Sequence, residues 1–212
     1  MPEDSYLGNR LLKPTNVPQQ FTKKEVEEYV KCRDDIIYFL KKYVQVIHVD
    51  KGLVPFDLYD YQQDLINTLN EHRYVIVKSA RQSGKSVTSL GYILHYVLFN
   101  KTKIVGMLAN KASTSRELLG RLQTAYQHLP KFLQQGIVEW NKGNLELENG
   151  SKIIASSTSS SAIRGYSFSL LFLDEFAFVQ RTIADAFIKS VYPTISSGKD
   201  TKIIMVSTPN GF

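Results

Sequence analysis

The sequence predicts an α/β fold of three layers, α/β/α, around a mostly parallel sheet, with a small β-hairpin meander and an N-terminal helical segment. Three stretches carry that reading. Residues 74–77 (Tyr-Val-Ile-Val) are β-branched and aromatic and read as a buried strand; a tight turn follows, then apolar residues at helical spacing, Val87, Leu90, Ile93, Leu94 and Val97. Residues 170–173 are four consecutive apolar residues ending in two acids, the pattern of a buried parallel strand. Residues 202–207 form another strand that closes on a Ser-Thr-Pro-Asn-Gly turn.

Composition narrows the class. With 43% hydrophobic and 22% charged residues, the 212-residue chain is composed like an ordinary globular protein and is long enough for a real core. No apolar run approaches the roughly 20 residues of a membrane span. The N-terminus lacks the basic start and apolar stretch of a signal peptide, so a membrane partner is not expected. The single cysteine, Cys32, excludes an internal disulfide and a cysteine-rich zinc site, and four histidines show no metal-ligand spacing. These features point to the cytosol. A net charge of +6 favours nucleic-acid phosphates, but only weakly.

In chain order, residues 1–20 carry Pro2, Pro14 and Pro18 and read as an extended, partly disordered arm. Thr22 with Glu25 is a capping-box signature opening one helix that runs to about Val44. Residues 44–56 read as two short extended pieces around Asp50-Lys51-Gly52, and Leu65, Ile66 and Leu69 mark the next helix. Residues 103–109 give a further buried strand and residues 112–128 a helix. The segment 110–121, with Lys111, Arg116 and Arg121, is either a solvated face or a contact to nucleic acid or a neighbouring subunit. Between residues 136 and 155, period-two alternation broken by Asn141-Lys142-Gly143-Asn144 and Asn149-Gly150 predicts an antiparallel meander, with Trp140 as a core anchor. Two segments result: residues 1–57, an arm and helical subdomain, and residues 58–212, the core. The last strand is expected at or near an unprotected sheet edge.

The chemistry gathers at the turns. Ser79-Ala80-Arg81-Gln82-Ser83-Gly84-Lys85-Ser86 lies between a strand and a helix, the context of a phosphate-binding P-loop. Backbone N–H groups and the helix N-terminus attract phosphate, Lys85 reaches the β- and γ-phosphates of ATP, and the Ser86 hydroxyl holds Mg²⁺. Two features depart from the usual pattern: Ser79 replaces the first glycine and Arg81 sits inside the loop. Asp174 and Glu175 follow the apolar run 170–173 as a Walker B pair. Asp174 would hold the metal and Glu175 would polarise the attacking water, which argues for hydrolysis and not binding alone. Upstream, Tyr61-Gln62 can clamp adenine, the ring by stacking and the amide by hydrogen bonds. Ser207, Thr208 and Pro209 end the last strand in a polar turn. In P-loop motors of this type a Ser/Thr at the end of the strand beside Walker B sits near the γ-phosphate, where it can sense hydrolysis and couple it to a neighbouring subdomain; these three residues match that coupling motif.

Together with Arg164-Gly165, and with the segments 43–52, 129–153 and 162–178, these motifs resemble the ATPase domain of the large terminase subunit of tailed bacteriophages, T-even type, over most of residues 40–212. The resemblance implies a RecA-like ATPase motor that translocates double-stranded DNA into a procapsid. It further implies a ring of five subunits on the portal protein, and a small terminase subunit as partner. The implied location is the cytoplasm of the infected bacterium and, transiently, the procapsid portal, not the mature virion. It assigns Arg164 as a finger presented in trans to the neighbouring subunit's ATP, and Arg81 to the phosphate in cis. The family's nuclease half has no counterpart in this sequence, so DNA cutting is not expected of this chain. A superfamily-2 helicase shares the aromatic-Gln, Walker and Ser/Thr motifs and is the main rival; a non-catalytic prophage fragment is the other.

Overall fold

A computed structural model describes residues 5–158, 165–196 and 198–210, without the side chains of residues 191–196. The chain begins with α1 (Lys23–Asp34), α2 (Ile36–Tyr43) and a hairpin of β1 (Gln45–His48) and β2 (Gly52–Pro55). Then come α3 (Asp60–Glu71), β3 (Tyr74–Lys78), α4 (Lys85–Phe99), β4 (Ile104–Ala109) and α5 (Ala112–Gln127). Next are β5 (Ile137–Trp140), β6 (Asn144–Leu147), β7 (Lys152–Ser157), β8 (Leu170–Asp174), α6 (Arg181–Ser196) and β9 (Lys202–Ser207).

The seven-stranded sheet has the order β3-β9-β8-β4-β7-β6-β5, with every pair parallel except β5-β6 and β6-β7. The predicted meander is therefore the antiparallel margin of a parallel sheet. Strand pleating separates the two apolar faces. Leu170 and Phe172 of β8, Val105 and Met107 of β4, and Ile204 and Val206 of β9 share a core with residues of α1–α5. Leu171, Leu173, Leu108 and Ile203 face the other way, onto Phe187 of α6. Three layers result, as predicted.

Several expectations change. The helix foreseen from Thr22 to Val44 is two helices. The Thr22–Glu25 capping box forms as predicted, but the backbone at Asp35 is extended and its carboxylate accepts from the Tyr38 N–H at 2.8 Å, so it caps α2. The strand read as buried, β3, is an edge strand: Val75 is buried, whereas Ile76 on its other face is 78% exposed. Conversely β9, expected at or near an unprotected edge, lies one strand in from the edge, paired with β3 and β8 on its two sides. Helix α6 carried no expectation from the sequence.

The arm read as extended is instead, in its described part from Ser5, folded into turns and docked: Tyr6 bridges Asn9, and Leu7, Gly8 and Asn16 take positive φ. Leu12 is buried, the Ile137 N–H donates to the Lys13 carbonyl at 2.9 Å, and the buried Gln134 amide binds both Leu11 and Lys13. One hydrophobic cluster runs from Leu12, Phe39 and Phe56 to Ile204, through both predicted segments. Trp140 is half-buried and its ring lies 5.6 Å from that of Tyr126. Among the described residues no helix is long and apolar enough to cross a membrane.

Candidate nucleotide site

Parallel strands point their C-terminal ends the same way, and here β3, β8 and β9 deliver their following turns to one place. After β3, the loop 79–84 runs into α4. Gly84, at φ +76°, precedes the first helical residue, Lys85. The backbone conformation at Gly84 demands glycine, and a Cβ there would also press on the side-chain amide tip of Gln62, which would have to move. Gln82 is also left-handed, at φ 62°. The Ser79 and Ser83 hydroxyls lie 2.7 Å apart across the loop, and the Ser79 N–H donates to the Ser207 carbonyl at 3.3 Å, tying the loop to β9.

Lys85 is buried, with its ammonium 3.4 Å from the Ala80 carbonyl and 3.3 Å from Glu175 Oε1. The Ser86 hydroxyl donates to Asp174 Oδ1 at 2.8 Å. Burial pushes the Asp174 carboxyl above its usual range, against the Ser86 hydrogen bond. For Glu175 burial acts the same way, but the Thr208 N–H and hydroxyl, with Lys85, outweigh it and hold the carboxyl below its ordinary value. Glu175 is thus an ionised acceptor near neutral pH. Ser86 and Asp174 present hard oxygen donors at one point, which fits Mg²⁺, an ion that takes one or two protein carboxylates and completes its shell with phosphate and water. Among the described residues no group of three or more His, Cys, Asp or Glu could hold a metal by itself.

A cleft of about 1810 Å³ opens over these groups. Its lining includes Gln62, Arg81, Lys85, Ser86, Asp174 and Glu175. The exposed Arg81 side chain faces this space, whereas Arg164 lies outside the described residues. The residues predicted as an adenine clamp sit at the loop but are engaged. Tyr61 donates its hydroxyl to the Ser83 carbonyl at 2.8 Å, and Gln62 Oε1 accepts the Tyr59 N–H at 3.1 Å. Sequence reasoning missed Tyr59, which lines the cleft and stacks on Tyr61 with centroids 5.7 Å apart. Nothing distinguishes it in sequence from any aromatic before a helix. Also missed was the β1–β2 hairpin as a cleft wall. Ser207 and Thr208 reach Glu175, while Pro209 is exposed beside them.

The model of the family described as terminase large subunit, T4likevirus-type, N-terminal, matches residues 76–212. The chain belongs to this family. Solved structures agree in fold. The HK97 bacteriophage large terminase superposes with a TM-score of 0.66 at 20% identity, over 82% of this chain and 37% of that one. The large terminase ATPase domain of Thermus phage P74-26 gives 0.60 at 18% identity, over 74% and 67%. The UvsW helicase of bacteriophage T4 gives 0.55 at 13% identity, over 82% and 59%. A helicase therefore shares the fold, and the family match decides for terminase. This terminase chain spans 37% of the length of its HK97 relative.

Proposed function

We propose that this terminase domain binds MgATP in the cleft, hydrolyses it and drives viral double-stranded DNA into the procapsid. The observation that carries the reading is the meeting of Lys85, Ser86, Asp174 and Glu175 at the ends of β3 and β8, in a chain of this family. Lys85 leaves Glu175 for the β- and γ-phosphates. Ser86 and Asp174 would hold Mg²⁺, which when bound would neutralise charge on the phosphate oxygens. Glu175 orients the attacking water and takes its proton. Gln62, with Tyr61, bounds the adenine side, and the N–H groups of the loop 79–86 take phosphate.

Arg81 serves its own subunit's phosphate and Arg164 the neighbour's, in a ring of five on the portal protein assisted by the small terminase subunit, in the infected cell's cytoplasm. Contacts to the DNA backbone suit a motor that must accept any sequence. Residues 58–212 form the ATPase core, and residues 1–57 a subdomain sharing its hydrophobic cluster. The test is a pair of variants in the intact subunit. Glu175→Gln retains ATP binding and loses turnover by about 10²- to 10⁴-fold, while Lys85→Ala loses nucleotide binding. Wild-type turnover in either variant overturns the assignment of that residue.

A further inference from the structure

Glu175 stands just past β8 with φ 48° and ψ 42°, a left-handed conformation that a side chain other than glycine rarely adopts. Its carboxylate is held from the turn after β9. Oε2 accepts from the Thr208 N–H at 3.0 Å, the Thr208 hydroxyl at 3.0 Å and the Ser207 hydroxyl at 3.3 Å. The following backbone is tied to the same turn: the Ala177 N–H donates to Ser207 Oγ at 3.2 Å and the Asn210 amide donates to the Ala177 carbonyl at 2.8 Å. Oε1 lies on the other side, toward Lys85 at 3.3 Å.

Phosphate oxygens only accept hydrogen bonds, so a residue that reads a phosphate directly needs a free donor. Thr208 has two donors, its N–H and its single O–H, and both are occupied by Glu175. The single Ser207 O–H is shared between the Thr208 carbonyl at 3.0 Å and Glu175 Oε2 at 3.3 Å. We propose that Thr208, assisted by Ser207, is a positioning residue that pins one oxygen of Glu175, aims the other at the phosphate end of the cleft, and so acts on hydrolysis through Glu175 and not through the nucleotide. The proposal rests on the hydrolytic reading above. It reassigns the turn predicted as a phosphate sensor: β9 communicates with the site through the base.

Thr208→Val is nearly isosteric and removes only the hydroxyl; Thr208→Ser keeps it; Ser207→Ala is an independent second variant. In the intact subunit, kcat, KM and the affinities for ATP and ADP are measured for each, and single-turnover rates are measured in wild-type and Glu175→Gln backgrounds. Thr208→Val lowers kcat by about 10- to 100-fold, the worth of one hydrogen bond to a charged group. KM and both affinities stay unchanged, and Thr208→Ser restores the rate. Ser207→Ala shows the same split at smaller size. In the Glu175→Gln background Thr208→Val adds less than about twofold, because residues acting as one unit are not additive. Loss of ATP affinity without loss of ADP affinity would mean direct phosphate contact and overturn the proposal. So would a full additive loss on top of Glu175→Gln, or an unchanged kcat in Thr208→Val. Wild-type turnover in Glu175→Gln alone defeats the base assignment instead, so the two failures are distinguishable.

Discussion

At the scale of single residues, Gly84 joins the two halves of the site. It ends the phosphate loop in a left-handed conformation, and the missing side chain leaves room for Gln62, which is buried with its carbonyl oxygen fixed by the Tyr59 N–H. Gly84→Ala adds both backbone strain of about 1–2 kcal/mol and a clash. The expected result is lower stability in urea denaturation together with weaker nucleotide binding. Combining it with Gln62→Ala relieves the clash and leaves the strain, so stability recovers in part; recovery to the wild-type level would show that the backbone conformation costs nothing. The glycine was visible in the motif, as were Lys85, Ser86, Asp174 and Glu175, because the phosphate and metal chemistry proposed for the site restricts which residue types can stand there. The Gln62–Gly84 packing was not, since it joins positions on separate elements whose approach no local pattern encodes.

At the scale of elements, α4 is both the helix that opens on the phosphate loop and the buried support for the N-terminal helices. His95 on α4 is buried between the Phe39 and Phe99 rings, with Nε2 2.9 Å from the Cys32 carbonyl of α1. Burial lowers its pKa from the ordinary 6.5 to about 4. Between those values the unfolded chain takes up a proton that the folded chain refuses, so stability falls as pH is lowered through that window. The loss is on the order of 3 kcal/mol once pH drops below the folded value. His95→Gln keeps an amide donor for the Cys32 carbonyl and does not titrate. Its denaturation free energy should lose less on going from pH 7 to pH 4.5 than that of the wild type; equal losses would place the acid sensitivity elsewhere. Most element types were readable from periodicity and caps. The break at Asp35 was not, because apolar spacing continues across it; the extended backbone at Asp35 and its carboxylate on the Tyr38 N–H show that a new helix begins.

At the scale of the whole molecule, the site faces an open cleft, and the trans role proposed for Arg164 is a property of the assembly. Mixing Arg164→Ala subunits with Glu175→Ala subunits should recover part of the DNA-stimulated hydrolysis that each lacks alone, since some interfaces then keep both groups. Absence of recovery, with ring assembly confirmed, would leave Arg81 as the finger. By itself the sequence determined the layered α/β class, the loop motif and the acidic pair, because these follow from local periodicity and from residue types in fixed order, and the resemblance of those motifs and their linking segments pointed to the family. Tertiary structure alone decided the strand order: β3 at the edge, β9 within the sheet and the meander at the far margin. It also decided that Thr208 faces Glu175 and not the cleft alone. The physical reason is that an apolar run reads the same in any slot of a parallel sheet. Which strands become neighbours is settled by long-range pairing and by burial on two faces at once.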